Sequence, residues 1–533
     1  MAWQTKVVQT FGGGINVSAH PAYIQDDQWS WGNGFLARNG CAEILPGFVQ
    51  VVNGAWLPVN HQPVGICQNP FDQNSAAILG SVLSTGTTVN LWKVNVGGTV
   101  TNIPWDAVGT AAAGTTFSIM PAAFLNTSLV LSFGLTTAVS HYSIIRYAGG
   151  ANFSVINTPA TGLSCQFLTS FKSTLVAGAV SRGGGSGVLQ SDMRNFAWSS
   201  INTTDTWDPA ISNSSDNGFL DDIGSGITGM GIVGQNTLGL FTQDGIHVLS
   251  PTGGIPLFSR EAMSTLSVPA LLPTFGTTVG SPGLFGTLPT GSVVKGADNL
   301  YLLSGGAQPI GQNIIRYLTA SEQLNGITSG LWVGPYVWHK RLGLLIVTKQ
   351  GTLTDNIEVW YFDPIVQSWS RRVLPAIPFR QSYIVDSGTV VAIGRHWFVD
   401  PNGNVYTENI SGAPTGGEFV DTKDFCFPTQ VYLNRVRVQW ECLTNATTDA
   451  LQVSIAARQS FTPSVLGTAG MDIQTLSFTN LGTLTAGVSD LGINQSCKVF
   501  RLRFTQSSGR VRIRGFEFQY ETGGDRPITA VGA

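Results

Sequence analysis

The chain has 533 residues, and its 28 Lys and Arg against 31 Asp and Glu give a formal net charge of −3. At about 100–200 residues per domain, this length predicts three or four units or one large repeat array, and the near-neutral charge gives no basic field of the kind that indicates nucleic-acid binding. Glycine accounts for 64 residues, which argues against a helix-dominated protein because an interior glycine costs a helix about 1 kcal/mol relative to alanine.

The first 50 residues are rich in glycine and tryptophan and have weak periodicity. Their opening lacks the apolar stretch of a signal peptide, so we expect a chain that is made in a cytoplasm without a leader. No apolar run approaches the roughly 20 residues that a membrane-spanning helix needs. We interpret residues 1–50 as an irregular N-terminal segment.

Residues 51–420 contain many short runs of β-branched and aromatic residues separated by turn-forming residues, which is typical of an all-β sandwich, barrel or propeller. Four of these runs end alike, each at a Ser/Asp-Pro or Ser-Gly turn: Gly245–Pro251, Asn299–Gly305, Glu358–Pro364 and His396–Gly403. Their starts lie about 40–60 residues apart, a period that fits four-stranded propeller blades. The alternative is a set of unrelated strands that share turn chemistry.

Two segments of this region have a more specific interpretation. The stretch Val359–Ser370 predicts one inner hairpin, with its turn at Asp363-Pro364 and with Trp369 returning to pack between blades. Residues 181–225 are rich in Gly, Ser, Asn and Asp, and we interpret them as a long excursion from one blade.

Residues 421–520 resume longer alternating strands, which predict a separate antiparallel, sandwich-like β module. The clearest strands are Arg435–Trp440, Leu451–Ala456, Val499–Phe504 and Arg510–Tyr520. The remaining residues, 521–533, are interpreted as a loose tail.

Motifs of catalysis, metal binding and cofactor binding are weak. There is no GxSxG elbow, and Gly183–Gly187 is interpreted as a flexible loop. Gly224–Gly229 matches GxGxxG, but no helix follows it, so a dinucleotide site is not predicted. Six histidines and six widely spaced cysteines show no metal-ligand spacing, and we expect the cysteines to be small buried hydrophobic residues. We therefore predict no catalytic, metal or cofactor site and no enzyme activity.

Carboxylates and turns offer few further candidates. Glycosidase chemistry needs two carboxyl groups about 5–10 Å apart, and three pairs are available: Asp26 with Asp27, Asp221 with Asp222, and Glu418 with Asp421. Adjacent aspartates are typical of solvated turns. Asp400–Asn404 is interpreted as a plain turn rather than a calcium loop.

The C-terminal module contains one concentrated charge pattern. Between Lys498 and Arg514 there are six basic residues and no acidic one. They alternate with apolar residues around a Gln506–Gly509 turn, which predicts a hairpin with one apolar and one arginine face. Like charges opposite each other destabilise a sheet, so the arginine face should be balanced by solvent or carboxylates of its own chain, by a subunit interface, or by nucleic acid. Its members are Arg501, Arg503, Arg510, Arg512 and Arg514.

Three groups of motifs resemble a known family. The first comprises Phe11–Ser18, Tyr23–Ser30 and Leu45–Phe48 near the start of the chain, where Leu45 stands in place of the arginine of many relatives. The others are, in order, Arg194–Ser199 with Thr206–Pro209, then Leu238–Leu249, and finally Phe500–Phe504 with Ile513–Tyr520. In this order they resemble the tail nozzle proteins of short-tailed bacteriophages, also called tail tubular or packaged-DNA-stabilisation proteins.

This resemblance implies a β-propeller with added β modules and a structural role in the virion tail. It implies a homohexameric ring below the portal and the adaptor (head-to-tail connector) protein, with tail fibres or spikes and the host outer membrane as further contacts. Double-stranded DNA would be sealed in before infection and would pass through the lumen during ejection, without sequence specificity. Assembly would take place in the host cytoplasm.

An alternative of another class is a host-glycan-binding or glycan-cleaving propeller tail protein, and a further one is another virion or secreted β scaffold. For the ring, we predict subunit contacts through Trp29, Trp31 and Phe35, because aromatic residues are favoured at interface centres. The arginine face is the second predicted contact, paired with carboxylates of a neighbouring copy.

Overall fold

The computed structural model describes most of the chain in segments separated by short gaps. The described residues are 3–18, 20–72, 75–83, 88–95, 97–104, 122–133, 144–156, 163–182, 190–191, 193–207, 212–234, 236–268, 285–288, 291–296, 298–314, 331–339, 342–350, 357–374, 381–385, 395–400, 402–409, 417–444, 447–460, 476–486 and 488–522. The predicted loop Gly183–Gly187 and most of the predicted tail lie outside these residues.

The described chain forms 39 strands and two single turns of 3₁₀ helix, Gly54–Trp56 and Gln312–Ile314. This confirms the all-β prediction, and its cause is the one expected from the sequence: short runs of β-branched and aromatic residues are interrupted by turn formers before any helical period can develop. The N-terminal strands are β1 (Gln4–Val8), β2 (Trp31–Asn33), β3 (Phe35–Arg38), β4 (Cys41–Ile44) and β5 (Gly47–Val52).

Four-stranded antiparallel units follow in chain order. The first three units contain β6 (His61–Gln68), β7 (Ser75–Leu83), β8 (Val89–Asn95) and β9 (Val100–Ile103); β10 (Ala122–Leu125), β11 (Ser128–Ser132), β12 (Ile144–Tyr147) and β13 (Ser154–Val155); and β14 (Leu163–Phe171), β15 (Thr174–Arg182), β17 (Asn195–Trp198) and β18 (Asp216–Phe219), with the short β16 (Gln190–Ser191) beside β15.

Three more units continue the series in the same order. They contain β19 (Ile227–Gly234), β20 (Thr237–Thr242), β21 (Ile246–Pro251) and β22 (Phe258–Ser264); β23 (Phe285–Leu288), β24 (Gly291–Lys295), β25 (Leu300–Leu303) and β26 (Ala307–Pro309); and β27 (Leu331–His339), β28 (Leu344–Gln350), β29 (Ile357–Asp363) and β30 (Ser368–Leu374). The seventh unit combines β31 (Gln381–Val385), β32 (Arg395–Val399) and β33 (Val405–Asn409) with β5.

The seven units are the blades of a β-propeller. The first strand of each blade contacts the first strand of the next, from β10 through β14, β19, β23, β27 and β31 to β6. The first and second blades share an apolar cluster that includes Ile78 and Leu131. The seventh blade joins the first through Trp397, which packs with Ile66 and Leu79. The ring therefore closes, and each blade buries both of its faces against neighbours.

Ring closure depends on a strand from the other end of the sequence. β5 is the outermost strand of the seventh blade, and it pairs antiparallel to β33 with Val52 opposite Val405 and Gly47 opposite Asn409. Gly98, at a φ of +85° in the neighbouring first blade, lies against β5 so closely that a β-carbon would meet the Val51 carbonyl oxygen at 2.2 Å. β5, the closing strand of the ring, thus has tight contacts with both the seventh and the first blade.

The repeat pattern corresponds to a fixed place in the blades, with one exception. Gly245–Pro251, Asn299–Gly305 and Glu358–Pro364 supply the third strands of three successive blades, whereas His396–Gly403 supplies a second strand. The predicted hairpin is confirmed in its pairing, since β29 and β30 pair with Phe362 opposite Trp369. Its predicted inner position is wrong, because these are the two outer strands of the sixth blade. Trp369 packs between the fifth and sixth blades and donates a hydrogen bond from its indole nitrogen to the Ile310 carbonyl oxygen at 2.9 Å.

The region interpreted as an excursion contains the two outer strands of the third blade. Within 181–225, β17 pairs with β15 through Trp198 opposite Val176, and β18 pairs with β17. A long connection joins these two strands, and buried Trp207 lies in it. The composition suggested a loop because the strands here are short and the residues between them are polar.

The additional antiparallel module is a curled half-barrel. Its strands are β34 (Phe419–Asp421), β35 (Phe425–Cys442), β36 (Ala450–Arg458), β37 (Thr479–Leu484), β38 (Asp490–Ser508) and β39 (Val511–Thr522). β38 lies between β36 and β35, and β39 follows β35 on the other side. Register shifts interrupt the pairing of β35, and such bulges increase local twist. Phenylalanines of β35, β38 and β39 pack together in the core of the module.

The predicted arginine hairpin is wrong in its pairing, although both strands exist. β38 pairs with β34, β35 and β36, while β39 pairs with β35, β1 and β4, so that within the described chain the two strands are not hydrogen-bonded to each other. The physical reason is that β35, with 18 residues, is long enough to lie between them.

Candidate functional site

The N-terminal segment joins the propeller to the half-barrel of the same chain. β3 pairs with β30 of the sixth blade and with β4, β4 pairs with β39, and β2 pairs with β34. Gly14 makes this approach possible, because at a φ of +74° it lies where a β-carbon would be 2.7 Å from the Trp369 carbonyl oxygen. The next residue, Ile15, donates its backbone N–H to that oxygen at 2.7 Å.

The structure corrects the role expected of the three predicted aromatic residues. Trp29, Trp31 and Phe35 are at most 4% exposed and belong to the core between the sixth blade and the half-barrel. Trp29 donates its indole N–H to the Phe11 carbonyl oxygen at 3.2 Å, and the Arg371 guanidinium lies 4.4 Å from the Trp31 ring. Side chains that fill an internal junction have no surface left for a neighbouring copy.

Three buried or half-buried arginines at this junction pair with two buried aspartates. Asp424 accepts hydrogen bonds from Arg501 at 2.8 Å and from Arg458 at 2.6 Å. Asp421 accepts two from Arg503, at 2.7 and 2.8 Å. Burial raises the pKa of the Asp421 carboxyl, and the Arg503 bonds and charge oppose that rise. The charged carboxylate in this position therefore depends on its arginine.

The Arg503 guanidinium is held on both flat faces by aromatic rings. It lies 4.1 Å from the Phe419 ring centre and 4.0 Å from that of Phe478. Cation–π contacts of this kind strengthen when water is excluded. Arg503 thus links β38 to β34 through a bidentate ion pair with Asp421. Its guanidinium also packs on the rings of Phe419 and Phe478.

The other three members of the arginine face pair with two glutamates. Arg512 donates to Glu43 at 2.8 Å, and Arg514 donates to Glu441 at 2.7 Å. Arg510 lies 3.7 Å from Glu43. The Glu43 hydrogen bond raises the pKa of Arg512 above its ordinary value. The arginine face is therefore balanced by carboxylates of its own chain, which is one of the alternatives left open by the sequence.

Sequence reasoning missed one buried ion pair of the junction. Arg372, on the outer strand of the sixth blade, lies 3.2 Å from Glu418 with both side chains nearly buried. It also donates to the carbonyl oxygens of Pro46 and Leu45. The only signal in the sequence was the adjacent pair of arginines after Trp369, which by itself is typical of an exposed strand end.

A second ion-pair group links β1 to the half-barrel. Asp26 lies 2.6 Å from Lys6 of β1 and 3.0 Å from Lys423. Burial alone would raise the pKa of the Asp26 carboxyl, but the hydrogen bonds and charges of the two lysines together lower it below its ordinary value. Protonation of Asp26 therefore opposes the folded arrangement of this group.

This lowered pKa predicts an acid-induced loosening of β1. A carboxyl whose pKa is lower in the folded state contributes stability at pH values above its unfolded pKa of about 3.9, and that contribution is lost as the pH falls through the folded value. We expect the protection of the Gln4–Val8 amides against hydrogen exchange, relative to their intrinsic rates, to fall below about pH 4 before that of the propeller strands. Asp26→Asn should lower the protection of these β1 amides already at neutral pH. Glu261→Gln, on an exposed outer strand, should leave the pH dependence of their protection unchanged. Equal acid sensitivity in the Asp26 variant and the parent would contradict this assignment.

The remaining motifs form closed local arrangements. Asp244 accepts the N–H groups of Gly224 and Ser225 at 3.1 and 2.8 Å, so these amides of the GxGxxG match are already occupied. Asp221 and Asp222 both pair with Arg260. Asp400 accepts N–H groups of Asn402 and Asn404, as in the predicted plain turn.

The described residues contain no group of three or more His, Cys, Asp or Glu that could hold a metal ion, and none of their helices is long and apolar enough to span a membrane. The six cysteines are all free thiols. Cys67, Cys165 and Cys497 are buried as predicted, whereas the prediction is wrong for Cys426, which is exposed.

The pairing of the strands defines the class of the protein, a seven-bladed β-propeller with an attached half-barrel. No protein-family model and no curated protein matches the chain. Among solved structures it is similar to the Pan2 WD40 domain of Neurospora crassa, with 10% identity and a TM-score of 0.37 over 68% of this chain and 94% of that one.

Two further solved structures are similar at the same level. Virginiamycin B lyase of Staphylococcus aureus gives 11% identity and a TM-score of 0.32 over 68% of this chain and 99% of that one. A quinonprotein alcohol dehydrogenase-like protein of Bacteroides thetaiotaomicron gives 12% identity and a TM-score of 0.35 over 60% of this chain, which spans 66% of that protein. At these values the propeller assignment depends on the strand pairing of this chain and not on its neighbours.

Proposed function

We propose that this chain is a structural virion protein, a tail nozzle that forms a hexameric ring around the DNA channel of a short-tailed phage. The observation that carries the proposal is the position of the segments that resemble this family. Arg194–Ser199 and Leu238–Leu249 supply strands of the adjacent third and fourth blades. Phe11–Ser18 and Phe500–Phe504 meet at the junction, where the rings of Phe11 and Phe504 lie 5.6 Å apart.

The junction is consistent with a part that must keep its shape while DNA passes. A buried ion pair and a shared apolar core fix the half-barrel to the sixth blade, and a closed ring of blades resists opening because every sheet is packed on two sides. A surface with few charges is suited to contacts with other copies and with the adaptor, since interface cores are depleted of charged residues. In this proposal the chain has no enzymatic role.

The proposal is tested by locating and counting the chain in virions. Gold-labelled antibody should mark the distal end of the tail below the adaptor, and quantitative mass spectrometry against the major capsid protein should give six copies per particle. Three copies on lateral spikes would favour the glycan-binding or glycan-cleaving alternative instead. Absence from purified particles would overturn the proposal.

An activity assay separates the two classes independently. The purified chain should release no oligosaccharide from host surface polysaccharide. Release that disappears on changing a single Asp or Glu would contradict the structural role, because it would identify a carboxylate that acts in catalysis.

A further inference from the structure

β1 is an edge strand with one open side. It pairs only with β39 in the described chain, with Gln4 opposite Tyr520 and Val8 opposite Phe516. Its first four residues are all exposed, so neither its outer edge nor its faces are covered there. In a strand with a single neighbour, alternate residues point their N–H and C=O groups away from the sheet, where they form a template for another strand.

A groove continues this open edge. It has a volume of about 290 Å³ and is lined by Val7, Val8, Gln9, Thr10, Asp26 and Asp27. Val7 is 43% exposed at its rim. At the opposite end of β1, the exposed ring of Trp3 lies 6.3 Å from that of Tyr432. An extended polypeptide on this edge would therefore meet apolar surface at both ends of the strand.

The charges of the groove favour a basic occupant. Lysine on an edge strand normally discourages pairing, but Lys6 is turned to Asp26 at 2.6 Å and does not project past the edge. Asp26 is in turn neutralised by Lys6 and Lys423. The neighbouring Asp27 side chain makes no ion pair and accepts no hydrogen bond within the part of the chain that the structure describes. The two lysines and two aspartates balance in total charge, but Asp27 is the one of these four groups whose charge has no direct contact, and a basic side chain of an occupant could pair with it.

We propose that β1 is a docking edge for an extended strand of a partner protein, which adds to the sheet beside β1 and places a lysine or arginine over Asp27. The backbone ladder would supply affinity, and Val7 and Asp27 would select an apolar and a basic side chain at alternate positions. The inference does not depend on the proposed virion function.

Peptide binding to the full chain tests this docking edge. The probes are capped ten-residue peptides of alternating threonine and valine, with one lysine near either end, and binding is followed by fluorescence anisotropy of a label. We expect saturable binding of at least one of them. N-methylation of one set of alternate amides should weaken binding tenfold or more, and N-methylation of the other set should change it by less than about twofold, because only one set faces β1.

Two variants with the same loss of charge locate the basic contact. Asp27→Asn should weaken the lysine peptide by about twofold to fivefold, the range of an exposed ion pair, and should not change binding of a peptide with threonine in place of the lysine. Glu261→Gln, on the outer strand of the fourth blade, should change neither.

Four results would overturn the inference. They are the lack of saturable binding, equal effects of the two N-methylated sets, binding that requires deletion of residues 523–533, and dissociation of a self-assembled form by the peptide. The third would assign the edge to the chain's own C-terminal residues, and the fourth to a second copy.

Discussion

Asp421→Ala is expected to lower the free energy of unfolding of the half-barrel by about 3–5 kcal/mol, the range found when one partner of a buried ion pair is removed. Asp421 has no exposed surface and is the carboxylate bound to Arg503. Its removal leaves a guanidinium between two phenylalanine rings with no anion to balance it. The loss should appear as an unfolding transition at lower denaturant concentration and as faster amide hydrogen exchange in Phe419–Asp421.

The double variant Asp421→Ala, Arg503→Met separates lost attraction from the cost of the unpaired charge. Because methionine keeps the apolar contact with Phe419 and Phe478 and carries no charge, we expect it to restore a substantial part of the stability. Asp490→Ala is the matched control, since its partner Arg437 is exposed, and it should not shift the transition. A double variant no more stable than Asp421→Ala would show that packing, and not charge, sets the cost.

Trp369→Ala should destabilise the contact between the fifth and sixth blades by about 3–5 kcal/mol. Trp369 is fully buried, its ring centre lies 4.8 Å from that of Phe362, and it anchors both Ile310 and Ile15. Truncation removes a large apolar volume and leaves the Ile310 carbonyl oxygen without its donor. Calorimetry should show a lower melting temperature.

Two tryptophan variants check the cause of that loss. Trp369→Phe retains most of the apolar volume but removes the indole donor, so its cost should lie between the parent and Trp369→Ala. Trp3→Ala deletes the same side chain from an exposed position and should change stability by no more than about 0.5 kcal/mol. Equal effects of Trp3→Ala and Trp369→Ala would contradict the assignment of Trp369 to the core.

The positions of strands and turns could be predicted from the sequence because they depend on residues that are close together in the chain. The turn at Asp363-Pro364 is an example, since the Asp363 carboxylate accepts the N–H of Ile365 at 2.9 Å and sets the hairpin by contacts within a few residues. The partner of a strand is not local. The Gln506–Gly509 turn suggested a hairpin because nothing in the sequence shows that β35 inserts between the two strands.

The partners of the candidate site residues could not be predicted for the same reason, because they are distant in the sequence. The alternation of Arg501 and Arg503 predicted strand residues that need carboxylate partners. The sequence did not show whether those partners, which are Asp421, Asp424 and Glu43, come from the same chain or from a neighbouring copy. Trp29 and Phe35 seemed to lack a core because their core is supplied by strands more than 300 residues away. A buried charge such as Arg372 leaves no periodic signal at all.

The closing strand also sets the order in which a nascent chain can mature. β5 leaves the ribosome about 350 residues before β33, its partner, and β1 precedes β39 by about 500. At roughly 5–20 residues per second, the N-terminal strands wait about 20 to 100 seconds for their partners. During that time their edges and the aromatic residues between them are uncovered, which is the condition under which chains aggregate or bind chaperones. Synthesis rate and chaperone supply, rather than the stability of the finished ring, should therefore limit the yield of folded protein.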